Sequence, residues 1–378
     1  MEGRRGLKIM RRLRLPLLKI LCTFEVKQYF KSMGNLITGI QQIGIGVVNA
    51  EEAFQWYNKT FNLNIPLFDD VADAKLMVRY TNGNIRRRRA IMALNIAGGG
   101  GAEIWESKRP LPLAADFEPA FGDLGIFAAR IKCQNLGDFA YANNLKAVPG
   151  PDGKPLVWLK DPYRNPIVVV EDDSWFKPKA SNTGGVLGAV IGVSDIEKVL
   201  PLYSEALGLD EIVYDKTGFF EDLPDAGQNR NTFRRVLLRK KESPEGAFTR
   251  LIGNTEIELV QALDISPRKI MEGRTWGDLG YIHLCFDTLN MDALAARLNA
   301  QGYPFTVDSA NSFDMGEAAG RFTYIEDPDG TLLEFVETHR VPVLKKLGWY
   351  INLKERGTGK RLPNWMINAL GMGRVKVK

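Results

Sequence analysis

One long pattern occurs twice in this chain, and the repeat restricts the fold more than any other feature. The segment EEAFQWYNKTFNL returns as IEKVLPLYSEALGL, which sets Tyr57 against Tyr203. FGDLG at Phe121 returns as WGDLG at Trp276, and KDPYRNPIVVVE at Lys160 returns as EDPDGTLLEFVE at Glu326. The offset grows from 146 to 155 to 166 residues, so the second copy carries insertions, among them KKESPEGAFTR near Lys240.

Each copy runs twice through the order strand, helix, strands, which makes four units in all. In the first, IQQIGIGVV reads as a strand and AEEAFQWYNKTFNL as an amphipathic helix burying Phe54, Tyr57 and Phe61. KLMVRYT and RRRRAIMALNIA read as strands joined by the turn TNGN. The run Gly98–Gly101 lacks the Gly-Lys-Ser/Thr ending of a phosphate cradle and leads into the strand AEIWE, so a hairpin turn is expected there. The run Arg86–Arg89 alternates faces along a strand and reads as a solvated edge in preference to an anion site. The second unit follows as LGIFAARIK, helix LGDFAYANNL, PLVWLKDP and PIVVVED.

The net charge of +5 over 378 residues hides an uneven distribution. Residues 1–32 hold nine Lys/Arg against two Glu, and residues 341–378 hold nine against one. The body between them keeps 32 basic and 42 acidic residues, a net of −10. An acidic body excludes a nucleic-acid-binding role, which needs basic surface against phosphates. Cys22, Cys133 and Cys285 have no paired spacing and read as reduced thiols, which suits a cytoplasmic protein. No apolar run reaches the roughly 18 residues of a spanning helix.

Regular patterning begins after Met33, so residues 1–32 read as an artefact of the start position or a disordered tail, with a membrane-surface or targeting segment as the alternative. Segment 174–185, SWFKPKASNTGG, has linker composition. In the C-terminal segment 341–378, Leu344, Leu347 and Ile351 fall at helical spacing beside Trp349 and Tyr350. LPNWMINAL is expected to form a second short helix with Pro363 near its start. The tail is expected to fold back over apolar surface in preference to lying on a membrane.

Three strands of the second copy place polar groups among apolar ones. TEIELV puts Glu256 and Glu258 on one face; GYIHLCF puts Tyr281, His283 and Cys285 together; TLLEFVE puts Glu334 with Leu332 and Val336. Burying such groups unpaired costs roughly several kcal/mol each, and one divalent cation shared by Glu258, His283 and Glu334 would satisfy all three.

These pieces resemble the vicinal oxygen chelate superfamily of glyoxalase I, methylmalonyl-CoA epimerase, extradiol dioxygenases and bleomycin-resistance proteins. The resemblance rests on LGAVIGVSDIEKVLPLYSEALGL, IELV, HLCF and DPDGTLLEF and spans about residues 37–340. It implies an α+β fold of two tandem domains, 37–173 and 186–340, each pairing two βαβββ units in a cupped mixed sheet around one metal position. Carried over, it gives the second domain Gly188, Glu258, His283 and Glu334. The first domain receives Gln42, Glu103, a position near Ile126, and Val168, a degenerate set.

Two carboxylates and an imidazole suit Mn, Ni, Co, Zn or Fe. Such a centre supports a lyase or isomerase acting on a small oxygenated substrate through an enediolate-like intermediate. Glu334 matches the position of the base in glyoxalase I and is the candidate catalytic residue. Tyr281, Cys285, Arg321 and Tyr324 are the candidate substrate-binding residues by strand parity, and Glu256 is assigned to the strand entry. A ring-cleaving dioxygenase would need His339, the only other histidine, which has the wrong parity. A small-molecule-binding protein without chemistry is the third reading.

Overall fold

The computed structural model describes residues 35–224, 231–310, 313–314, 319–344, 349–353, 357 and 359–376. The expectation of a start at Met33, and the basic segment before it, lie outside these residues.

Four similar units follow one another. The first comprises β1 (Ile37–Val47), α1 (Ala50–Phe61), β2 (Ile65–Asp73), β3 (Arg87–Leu94) and β4 (Gly101–Arg109). The second comprises β5 (Gly125–Cys133), α2 (Leu136–Ala142), β6 (Val148–Pro149), β7 (Pro155–Lys160) and β8 (Pro166–Glu171). The third comprises β9 (Thr183–Gly192), α3 (Ile196–Pro201), β10 (Glu211–Gly218), β11 (Phe233–Arg239), the short α4 (Thr249–Ile252) and β12 (Glu256–Ala262). The fourth comprises β13 (Gly280–Thr288), α5 (Met291–Ala300), β14 (Val307–Asp308), β15 (Phe313–Asp314), β16 (Ala319–Glu326) and β17 (Leu332–Leu344). β18 (Trp349–Asn352) and α6 (Asn364–Leu370) complete the chain.

Two curled mixed sheets with few helices result, as expected of an α+β protein of two paired-unit domains. The sheets do not pair the first unit with the second or the third with the fourth, however. One sheet runs β14-β16-β17-β13-β1-β4-β3-β2 and the other β10-β11-β12-β9-β5-β8-β7-β6. The first unit therefore shares a sheet with the fourth, and the second with the third. The seams are antiparallel, β1 against β13 and β5 against β9, while each first strand runs parallel to its own unit's last.

Consecutive units are tied in another way. Tyr57 on α1 donates to Asp161 at 2.9 Å, and Tyr203 donates to Asp327 at 2.9 Å. Both aspartates open the DP turns of the repeat and accept backbone N–H groups there, from Tyr163 and Asn165 in one and from Asp329 and Thr331 in the other. The repeated Tyr and Asp are therefore one buried cross-link made twice, and sheet pairing plus these links closes the four units into a ring.

Helix α1 follows its sequence signals. Asn49 caps it by accepting from Glu51 and Glu52, Asn62 ends it in the left-handed region, and Ala53, Phe54, Tyr57 and Phe61 are buried. KLMVRY does not form the expected strand: Lys75–Tyr80 is a 3-10 helix, and Ile65–Asp73 occupies the edge beside β3. Charge explains the exchange. Across that edge Arg87 pairs with Asp73, Arg88 with Asp70 and Arg89 with Asp69, at 3.1, 2.7 and 2.7 Å, so the arginine run meets an acidic strand.

The turn through Gly98–Gly101 joins β3 to β4 as expected and also lets two backbones meet. A Cβ on Gly185 would lie 2.0 Å from the Gly100 carbonyl oxygen. The tail folds back, but Trp349–Asn352 is a strand paired with β17, correcting the helix expected from Leu344 and Ile351. Its register continues an open sheet edge, which outweighs helical spacing interrupted at Gly348. LPNWMINAL does form a helix, α6. Ile367 is fully buried and packs with Leu353 and Leu362 against Ile65, Met92, Leu94 and Val341. No helix among the described residues is long and apolar enough to cross a membrane. Ile367→Ala is expected to lower stability by about 2–4 kcal/mol, seen as a reduced urea midpoint, without creating association with anionic vesicles.

Candidate metal centre

At the middle of the first sheet, four strands bring Gln42, Glu103, His283 and Glu334 together. β1 and β4 run side by side with Gly44 opposite Glu103, and β13 crosses β1 with His283 opposite Gly44. Gly44 is what makes room: a Cβ there would lie 2.4 to 2.8 Å from three atoms of the imidazole. β17 adds Glu334 beside Cys285.

Ligand atoms of Glu103, His283 and Glu334 lie within 4.8 Å of one another, and all three residues are buried. His283 Nε2 stands 3.1 Å from Glu334 Oε2 and 3.3 Å from Glu103 Oε2. Neither approach has hydrogen-bond geometry, so Nε2 and Glu334 Oε2 are buried polar atoms without a hydrogen bond. The Gln42 side-chain amide donates to Glu103 Oε2 at 2.9 Å, and a half-turn of that amide presents its oxygen instead. Tyr324 Oη meets the other imidazole nitrogen at 3.3 Å and orients the ring. Two buried carboxylates converging on an orphaned imidazole nitrogen, with an amide oxygen available, fit a divalent cation with oxygen-rich ligation.

Burial disfavours protonation of His283, but Glu334 and Glu103 outweigh it and raise its pKa to about 9. In the metal-free protein a proton thus takes the place of the cation. Cys285 lies under Glu334, and burial pushes its thiol far above the ordinary range, which makes it a packing residue and not a nucleophile.

Glu258 is elsewhere. It lies in the second sheet, where burial opposes its ionisation but Arg235 and Arg130 more than compensate and hold its pKa below the usual carboxylate value. Arg235 reaches it at 2.6 Å, Arg130 at 3.2 Å, and Tyr214 donates to it at 2.8 Å. The positions equivalent to the metal centre here are Gly188, Glu258, Ala128 and Val168, with Ala128 in place of the expected Ile126. Three cannot ligate, and guanidinium groups supply the positive charge. A Cβ on Gly188 would strike the Glu256 carbonyl at 1.9 Å, so a larger side chain is excluded there by the backbone. Glu256 pairs with Arg130 and Arg239 in the same network.

The assignment of Glu258 to the metal set is therefore corrected to Glu103, with Gln42 beside it. The repeat aligned the positions correctly, but it says nothing about which units share a sheet. Arg130 inside the apolar strand LGIFAARIK was the available signal, because a cation buried there must face an acid.

A cavity of about 340 Å³ opens over the centre. Gln42, Glu103, Tyr324 and Glu334 line its polar end, and Trp105, Trp276, Phe322, Phe68, Met77 and Leu94 much of the rest. Of the expected substrate-binding residues, Tyr324 lies in this cavity. Cys285 sits beneath it. Tyr281 points into the core and donates to the Pro166 carbonyl at 2.6 Å, beyond a register shift between His283 and Tyr281. Arg321 faces outward and pairs with Asp292 and Asp308 at 2.6 and 2.7 Å. His339 is on the opposite face of β17 to Glu334, 3.7 Å from Glu337, and takes no part in the centre.

Residues 189–324 match the family model described as the Glyoxalase/Bleomycin resistance protein/Dioxygenase superfamily. The chain carries the vicinal oxygen chelate fold. A candidate dioxygenase from Bacillus subtilis has the same architecture, with 14% identity over 91% of this chain and 99% of that one and a TM-score of 0.52. Glyoxalase I from Zea mays aligns at 12% identity over 79% of this chain and 92% of that one, with a TM-score of 0.45. No curated protein matches the chain.

Glu103→Gln is expected to weaken divalent-metal binding by more than the roughly 10–100-fold typical of an outer partner, whereas Glu258→Gln leaves it unchanged, as measured by metal titration. With only two histidines in the chain, nitrogen NMR of the metal-free protein should show the His283 imidazole titrating near 9 and no longer titrating once metal is bound.

Proposed function

We propose that this protein is a metal-dependent lyase or isomerase of glyoxalase type, holding one divalent cation through Glu103, His283, Glu334 and the Gln42 amide oxygen. The observation that carries this reading is the pair of buried atoms, His283 Nε2 and Glu334 Oε2, that converge without a hydrogen bond beside a second carboxylate. A bound divalent cation would supply Lewis acidity toward two neighbouring oxygens of a substrate.

The chain's own groups do the rest. Glu334 opens on the cavity and is the base that takes the proton from the carbon next to the substrate's carbonyl and returns it to the neighbouring carbon. The loss of that proton leaves an enediolate, and the apolar walls exclude the water that would divert it. Tyr324 holds the His283 ring from behind. The donor set has two carboxylates and one histidine, and His339 lies across the strand; this favours proton transfer over the oxygen chemistry of a ring-cleaving dioxygenase. The substrate is a small molecule, and the free thiols Cys133 and Cys285 accord with a cytoplasmic setting.

In deuterium oxide, the metal-loaded protein is expected to exchange the carbon-bound proton of an α-hydroxyketone. Glu334→Gln should lower that rate by roughly 10²–10⁴-fold, read by NMR. Oxygen uptake on catechols with bound iron would replace this reading with the dioxygenase, and tight ligand binding without exchange would replace it with a binding protein.

A further inference from the structure

The cavity carries information about the substrate beyond its two oxygens. Trp105 and Trp276 meet edge to face with ring centroids 4.7 Å apart, and Trp105 stands edge-on to the His283 ring at 6.5 Å. Phe322 meets Tyr324 edge to face at 6.1 Å, and Tyr324 meets His283 at 5.5 Å. Aromatic rings thus frame the metal ligands on two sides. Leu67, Phe68, Met92, Leu251 and Ile252 continue the apolar wall away from them.

The charged groups of the lining are mostly acidic or already paired. Apart from Glu103 and Glu334, these are Asp70, Asp73, Lys75 and Arg88. Arg88 is held by Asp70 at 2.7 Å and lies over the Trp105 ring at 4.7 Å. Lys75 is exposed and keeps its water, and the buried cation Arg88 is already met by Asp70, so a peptide carboxylate or a phosphate lying along the buried walls would lose its water with no free side-chain cation there to meet it. An apolar cavity of about 150 Å³ takes up benzene, so this one, at about 340 Å³, has room for a molecule of two rings.

Resting on the proposed proton-transfer reading, we infer that the substrate is an uncharged, largely apolar α-oxygenated carbonyl compound of about two-ring size, and not a charged thiol-peptide adduct or a phosphate ester. The oxygens sit at the polar end, and the rings lie between Trp105, Trp276 and Phe322. Leu370, at the end of α6, also lines the cavity, so the C-terminal segment helps shape the space it offers.

The test uses the full metal-loaded chain and two probes, benzoin, a neutral two-ring α-hydroxyketone, and the hemithioacetal of methylglyoxal and glutathione. Quenching of tryptophan fluorescence should give benzoin at least about tenfold tighter binding than the hemithioacetal. Phe322→Ala should weaken benzoin binding about tenfold, while Phe322→Leu restores most of it. Leu370→Lys, at a half-buried lining position on α6, should weaken it as well. Equal or tighter binding of the hemithioacetal, or benzoin binding indifferent to both positions, would overturn the inference. Deuterium exchange separates it from the reading beneath: benzoin bound but not exchanged supports the substrate class and removes the proton-transfer reading. Exchange of the hemithioacetal without benzoin binding does the reverse.

Discussion

The two sheets differ in where their buried carboxylates find positive charge, and much else in the molecule follows from that difference. A carboxylate at the centre of a sheet loses its hydration and must be met by a cation or a set of donors. In the second sheet Glu258 is met by Arg235 and Arg130, and the site is closed by its own side chains. In the first sheet Glu103 and Glu334 share one imidazole, and an excess of negative charge faces a cavity. The backbones are alike: Gly44 lies opposite Glu103 as Val190 lies opposite Glu258. One repeated framework therefore holds a ligand site in one sheet and a salt-bridge network in the other, and the side chain at three positions decides which.

The repeat, the four units and the positions of the ligand strands were all legible in the sequence, because each rests on local pattern. Glu258, His283 and Glu334 stood out as polar residues inside apolar strands, whereas Glu103 was reached only through the resemblance. Which units share a sheet was not legible. All four first strands are apolar and short-sided, and each is chemically able to pair with any other. The Tyr57–Asp161 and Tyr203–Asp327 links join the first unit to the second and the third to the fourth, while the sheets join the second to the third and the first to the fourth, and local pattern does not tell the two kinds of junction apart. Glu258 was read into the wrong set for this reason alone.

Local misreadings have local causes. KLMVRYT alternates well enough for a strand, yet the acidic IPLFDDVAD fits the arginine-rich β3 better, with three ion pairs along the edge. The two exposed pairs are worth roughly 0–1 kcal/mol each and the Arg88–Asp70 pair is partly buried, and three in register favour one partner strand over another. The displaced segment becomes a 3-10 helix whose Met77 lines the cavity. The tail shows the same competition, since an open edge of β17 outweighs helical spacing around Leu344. In both places a tertiary partner decided between two patterns of similar local merit. Tyr281 and Arg321 were misplaced differently: a register shift turns Tyr281 into the core, and Arg321, three residues before Tyr324, falls on the opposite face of β16 from Phe322 and Tyr324.

The unequal charge balance also determines how each sheet responds to loss of a partner. Removing one member of the Arg130–Glu258–Arg235 set leaves an uncompensated charge in a closed interior, a loss of roughly 3–5 kcal/mol with no ligand able to restore it. In the first sheet the compensating charge is exchangeable. A proton on His283 partly fills the role and a divalent cation would fill it more completely, so its binding would add directly to the stability of that sheet. Because β1 and β4 come from one end of the chain and β13 and β17 from the other, the cation would bridge the first unit to the fourth across the seam. The Tyr–Asp links close the ring elsewhere, and a cation held by Glu103, His283 and Glu334 would secure the seam between the first unit and the fourth.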